Sequence, residues 1–219
     1  MTPAELIAAY RQAAPSEASP AAASPFSFQP GPVEYGYPTD AHLAFRTEVV
    51  EALLPDFSLA DIGLIRALFR EEMACEAAIQ QHENLYQICF YLYGLGQLED
   101  SFDLYEAKFL ARNMDVGVTL DREMMTVRHE VAAVVGYVEA MFRQQPTLQT
   151  RYPTMIQELD ELVKQPDYTH LEDYRTHIRG YFYGYGEGVS SAESTATTPE
   201  PARELSGYQP RPKPWWKFW

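Results

Sequence analysis

The segment from Leu85 to Met125 decides the fold; it reads LYQICFYLYGLGQLEDSFDLYEAKFLARNMDVGVTLDREMM. Apolar residues recur within it every three or four positions, first over 85–92 and then over 102–109. This is the spacing that places side chains on one face of a helix. Gly94 and Gly96 separate the two runs, and glycine ends a helix at little conformational cost. The segment therefore predicts two helices joined as an αα-hairpin.

The same spacing continues on both sides of this hairpin, whereas no segment shows the alternation of apolar and polar residues that marks a strand. We therefore predict an all-α fold, a single helical bundle or short α-solenoid of about six to seven helices around the central αα-hairpin. Outside the hairpin the predicted helices are 43–54, 58–81, 119–145, 154–164 and 167–183, with room for a short one over 3–12.

Composition divides the chain into three regions. Residues 15–32 are rich in Ala, Ser and Pro with almost no charge, and residues 184–214 are rich in Gly, Ser, Thr, Glu and Pro. Such segments do not bury enough apolar surface to become ordered. We expect a mostly disordered leader over 1–36, an all-α core domain over 37–184, and a disordered tail over 185–219 that ends in a Trp-rich peptide.

Charge and hydropathy restrict the partners. The 219-residue chain carries a formal charge of −14, which disfavours nucleic acid and favours a basic protein. The N-terminus lacks a signal-peptide pattern, and no window approaches the roughly 18 apolar residues that span a bilayer. We expect a cytoplasmic protein without stable membrane insertion, whose oligomeric state stays open. Cys75 and Cys89 lie in apolar helical patterns and are expected to be buried reduced thiols.

No catalytic motif is present in the sequence. A zincin motif would need a second histidine where Tyr86 follows His82-Glu83, and there is no nucleophile elbow or phosphate-binding loop. We therefore predict no enzyme, no cofactor and no metal site. An enzyme with an unrecognised site would need a deep pocket in which polar groups converge near Asp121, His129 or Glu130.

The central segment does carry an ordered set of acidic and tyrosine residues, typical of a surface that binds a basic protein, because carboxylates steer the encounter and tyrosines supply contact area. An alternative for Asp115 and Asp121 is that they cap helices and fix a bend. The predicted partner-binding residues of this acidic ridge are Tyr86, Tyr93, Asp100, Asp103, Tyr105, Glu106, Asp115, Asp121 and Glu123.

All three tryptophans lie within the last five residues, at Trp215, Trp216 and Trp219. Tryptophan is enriched at binding hot spots, and an exposed aromatic cluster is uncommon unless something covers it. Three alternatives are open: this peptide docks on the protein's own helices, binds a partner or a second copy, or lies at a membrane interface.

The central segment also resembles a poorly characterised all-helical bacterial family similar to the immunity proteins of polymorphic and contact-dependent toxin systems. The resemblance implies a protein that binds a cognate toxin in the cytoplasm and blocks it. The residues that carry it are Leu95-Gly96, Glu99-Asp100, Tyr105-Glu106-Ala107-Lys108, Asp115 and Leu120-Asp121-Arg122-Glu123.

Two functions therefore compete. An immunity protein, or antitoxin, would bind a basic toxin domain through the acidic ridge. A structural or adaptor protein would recruit partners, or self-associate, through the Trp-rich tail. Deleting residues 212–219 would abolish binding only in the second case.

Overall fold

The computed structural model describes residues 1–12, 24–164, 167–168 and 170–184. Its architecture confirms the all-α prediction, with ten α-helices and one two-stranded antiparallel hairpin in these ranges. The elements are α1 (Pro3–Gln12), β1 (Pro30–Glu34), β2 (Tyr37–Asp40), α2 (Leu43–Leu53), α3 (Ile62–Ile79), α4 (Leu85–Leu95), α5 (Asp100–Tyr105), α6 (Met114–Thr119), α7 (Val131–Gln144), α8 (Pro146–Arg151), α9 (Met155–Lys164) and α10 (Leu171–Tyr183).

Helices with long apolar stripes lie close to where periodicity placed them. α2, α3, α9 and α10 match their predicted ranges to within a few residues, and α4 with α5 forms the central pair. α5 continues as a π-helical turn over Glu106–Leu110. α1 confirms the short N-terminal helix, and the short α6 and α8 were not predicted.

The prediction of a disordered leader is wrong for residues 24–36, and this segment contains a strand that the sequence pattern did not indicate. β1 pairs with β2 here, and Phe26 is buried in the same core as Leu6 of α1. Most side chains of the two strands are exposed on both faces of the hairpin. Because neither face is buried, the sequence does not alternate between apolar and polar residues here.

The long helix predicted over 119–145 is also wrong. A 3-10 turn over Arg122–Thr126 is followed by left-handed backbone at Val127 and Arg128, with φ of 47° and 62°, and α7 begins only at Val131. Left-handed backbone is costly for residues with a Cβ, above all for a β-branched one. Only tertiary packing can impose it, which is why the helical spacing of the valines was misleading.

One buried guanidinium ties the N-terminal hairpin to the helices. Arg46 of α2 donates to Asp40 Oδ2 and to Glu72 Oε2, each at 2.6 Å, and to the carbonyl of Phe26 at 3.2 Å. The arginine and both carboxylate side chains are fully buried. Burial of such charges is tolerated only when they are paired and hydrogen-bonded, as they are here.

Candidate functional site

Four residues of the predicted acidic ridge are buried: Tyr93, Asp100, Tyr105 and Glu123. These four side chains are therefore buried in the chain by itself, and their role in partner binding stays a prediction. Helical spacing identifies residues that share a face, but it does not say whether that face packs inward. In this fold the tyrosine-bearing faces of α4 and α5 belong to the core.

Asp100 has a structural role. Its carboxylate accepts two hydrogen bonds from the Arg66 guanidinium, at 2.7 and 2.8 Å, and one from the backbone N–H of Gln97 at 2.6 Å. The aspartate therefore closes the turn before α5 and anchors that turn to α3.

Asp121 joins two helices instead of facing a partner. Its Oδ2 accepts hydrogen bonds from the Tyr174 hydroxyl at 3.1 Å and from the Tyr86 hydroxyl at 3.4 Å. Burial raises the pKa of Asp121, and the hydrogen bond from Tyr174 opposes that rise. The residue links α4 to α10, and its side chain makes no helix-capping hydrogen bond.

Asp103 and Glu106 are both partly buried. The Glu106 carboxylate accepts from the Tyr152 hydroxyl at 2.7 Å and forms an ion pair with Arg151. Burial, reinforced by the neighbouring carboxylates Asp100 and Glu106, raises the pKa of Asp103 to about 6. This part of the ridge is engaged within the protein.

Asp115 alone among the described residues of the ridge is exposed, and it lies on α6 where a bend was expected. It does not cap that helix, because the cap is the Asn113 side chain, which accepts from the backbone N–H of Asp115 at 3.0 Å. Trp215, Trp216 and Trp219 lie outside the described residues.

α6 carries the two most exposed large apolar side chains of any described helix. Met114 and Val118 are four residues apart, on one helical face, and are 82% and 83% exposed. Leu110 is also exposed just before the helix. We call Leu110, Met114, Asp115 and Val118 the α6 face.

This face is held firmly from beneath. The Lys108 ammonium donates to the carbonyls of Gly117 and Leu120 at the end of α6. The backbone N–H of Asn113, at its start, donates to Glu76 Oε1 of α3 at 2.6 Å. Lys108 therefore holds the end of α6, and Glu76 holds its start.

A cavity of about 300 Å³ opens elsewhere on the molecule. Two walls come from α4 and α10, and the third is the left-handed turn at Val127 and Arg128. The residues that line it are Phe90, Tyr93, Val127, Arg128, His129, Glu172, Arg175, Ile178 and Arg179.

Sequence reasoning missed this basic cavity. Arg175 and Arg179 are four apart and so share a face of α10, which is the one signal that the sequence offered. Their convergence with Arg128 depends on the unpredicted break before α7. His129 was named only as the neighbourhood of a hypothetical enzyme pocket.

Comparison with protein-family models, with curated proteins and with solved structures gives no match to this chain. Within the described ranges, no group of three or more His, Cys, Asp or Glu residues is arranged to hold a metal ion. Cys75 and Cys89 are both buried, as the apolar helical patterns around them predicted. None of the described helices has both the length and the apolar character to cross a membrane.

Proposed function

We propose that this chain is a cytoplasmic protein-binding module that docks a basic protein on the α6 face. The observation that carries the proposal is the pair Met114 and Val118, which expose more than four fifths of their surface on a helix that is fixed at both ends. Large exposed apolar side chains on a rigid support are typical of protein interfaces.

Charge supports a basic partner. The chain carries −14, and Asp115 is exposed beside Met114 and Val118. An acidic surface attracts a basic protein over a distance and speeds the encounter, while apolar anchors slow dissociation. The resemblance to immunity proteins leads us to propose that the partner is a toxin domain, which this chain blocks.

The test has two stages. The protein is first used to capture partners from lysate of its native host, together with a catalytically inactive form of any toxin encoded nearby. A captured basic protein is then co-expressed with this chain. We expect the wild-type chain to restore growth and a Met114→Lys/Val118→Lys variant to fail.

A Val163→Lys variant is the matched control, because Val163 is 65% exposed on a different helix, α9. Protection that survives both changes on α6 would refute the α6 face as the docking site. A chain that ends at Gln209 separates the competing function: retained binding supports the helical core, whereas loss of binding supports an adaptor that acts through the Trp-rich tail.

A further inference from the structure

The cavity between α4, α10 and the turn at Val127 and Arg128 lies apart from the proposed docking site, since no residue of the α6 face lines it. We propose that it binds a small organic phosphate, a phosphate monoester with a compact apolar or aromatic body. This inference does not depend on the proposed protein partner.

Charge selects the class of ligand. Arg128, Arg175 and Arg179 are three of the residues that line the cavity, and Glu172 is the one carboxylate among its lining residues. Glu172 is paired with Arg175 at 2.8 Å. Two further arginines therefore face the cavity without a lining carboxylate, which suits a dianion. A phosphate monoester is close to a dianion at neutral pH.

Two buried donors at this place contact each other, but neither has a hydrogen bond of good geometry. Tyr93 is 2% exposed, and neither its hydroxyl nor Nε of Arg175 has a hydrogen-bonding partner of good geometry in the part of the chain that the structure describes. Burial raises the pKa of Tyr93, and the nearby Arg175 guanidinium lowers it in part, so the hydroxyl stays protonated. Buried donors without a well-formed hydrogen bond are uncommon in native proteins, and a bound oxyanion would accept from both groups.

Apart from His129, the remaining lining residues are apolar, and the volume of the cavity limits the size of the ligand. Phe90, Val127 and Ile178 are buried side chains at the cavity wall. A volume of about 300 Å³ is at the lower end of the range for small-molecule sites. A phosphate with one ring or a short aliphatic body fits that description, whereas a dinucleotide does not.

Backbone strain also concentrates at this cavity. Val127 and Arg128 are consecutive left-handed residues with side chains, and the Arg128 carbonyl accepts from Arg175 Nη2 at 2.7 Å. That bond fixes the Arg175 guanidinium at the cavity wall. Strained backbone persists where surrounding structure enforces it, and it clusters at ligand sites.

Titration calorimetry of the full chain with phenyl phosphate at neutral pH and low salt tests the proposal. We expect saturable binding at one site. Arg128→Gln and Arg179→Gln should each weaken it about tenfold, because each removes a charge-assisted hydrogen bond. Tyr93→Phe should weaken it about fivefold while circular dichroism shows an intact fold. Arg143→Gln, an exposed arginine on α7, is the control and should leave affinity unchanged.

Three other probes separate the contributions. Phenol, which is neutral, should not bind. Inorganic phosphate should bind more weakly than phenyl phosphate because it lacks the apolar body. Benzoate should also bind more weakly, because it carries only one negative charge. The proposal is overturned by absence of saturable phenyl phosphate binding, by equal affinity in the Arg128→Gln and Arg179→Gln variants, or by phenol binding as tightly as phenyl phosphate.

Discussion

Tyr91 and Tyr93 are both buried on α4, two residues apart, but only the Tyr91 hydroxyl has a hydrogen-bonding partner of good geometry among the described residues. It donates to the carbonyl of Val50 at 2.7 Å and accepts from the Gln87 side chain at 2.6 Å. Replacing either tyrosine by phenylalanine removes one hydroxyl oxygen. At Tyr91 that hydroxyl is hydrogen-bonded, whereas at Tyr93 it has no hydrogen bond of good geometry among the described residues.

We expect Tyr91→Phe to lower the free energy of unfolding by about 1 kcal/mol, because it removes the hydrogen bond to the Val50 carbonyl and the one from the Gln87 side chain. Tyr93→Phe should leave that free energy unchanged or raise it, because it removes a buried hydroxyl that has no hydrogen bond of good geometry among the described residues. Urea denaturation of both variants measures the difference. A larger loss for Tyr93→Phe would show that its hydroxyl is already satisfied in the free protein.

Arg46→Met should lower the free energy of unfolding by about 3–5 kcal/mol, because it leaves the carboxylates of Asp40 and Glu72 buried without their cation. Chemical denaturation followed by circular dichroism measures it. Arg143→Met is the control, since the pair of Arg143 with Glu139 is exposed and exposed pairs contribute little. Similar losses in the two variants would contradict a structural role for the buried cluster.

Stability should depend on pH through Asp103. Its pKa is raised to about 6 in the folded protein, above the ordinary value of 3.8, so folding favours the protonated acid. The stabilisation from that proton is complete below about pH 4 and is lost as pH rises through about 6.

Asp103→Asn should therefore be more stable than the wild type by about 2 kcal/mol above about pH 7, with the gap closing towards about pH 4. Thermal denaturation across this pH range is the measurement. Asp115→Asn removes an exposed carboxylate and reports the effect of net charge alone. A constant gap between Asp103→Asn and wild type at every pH would refute the assignment.

Two glycines in helical surroundings should respond oppositely to alanine. A Cβ at Gly96 would lie 2.5 Å from the Leu92 carbonyl oxygen and 2.8 Å from Val127 Cγ1, whereas a Cβ at Gly136 meets no described atom within 4 Å. Gly96→Ala should cost about 1–3 kcal/mol of unfolding free energy. Gly136→Ala, within α7, should add about 0.5–1 kcal/mol. Thermal denaturation measures both effects: the melting temperature should fall for Gly96→Ala and rise for Gly136→Ala.

Charge reversal at Asp103 and Glu106 is a poor probe of partner binding, because Glu106 is held by Tyr152 and Arg151. Asp115→Lys is a better probe of partner binding, because this carboxylate is exposed. If the proposed partner is basic, Asp115→Lys should slow association and flatten its dependence on salt. Stopped-flow kinetics at two ionic strengths would show this; an unchanged association rate would exclude Asp115 from steering.

Sequence reasoning succeeded where local spacing governs structure. Leu64 and Leu68 of α3, and Leu159 and Leu162 of α9, recur at helical intervals and are buried. It failed at Val127, where packing overrides the helical preference of the neighbouring segment. The binding surface was harder to predict than the helices. Helical spacing placed Tyr105 and its neighbours on one face, but that spacing is the same whether the face is exposed or buried.

The Arg46 cluster also sets where this domain begins. One guanidinium joins the Phe26 carbonyl and Asp40 to α3 through Glu72, so residues 24–40 are an integral part of the fold. Limited proteolysis that removes this segment should leave the buried Arg46 guanidinium with Glu72 but without its other two acceptors, Asp40 and the Phe26 carbonyl. A fusion protein or a trimmed version that starts at residue 37 would lack the Phe26 carbonyl and leave one donor of the buried Arg46 guanidinium without its acceptor, whereas one that retains the N-terminal hairpin and Phe26 would not.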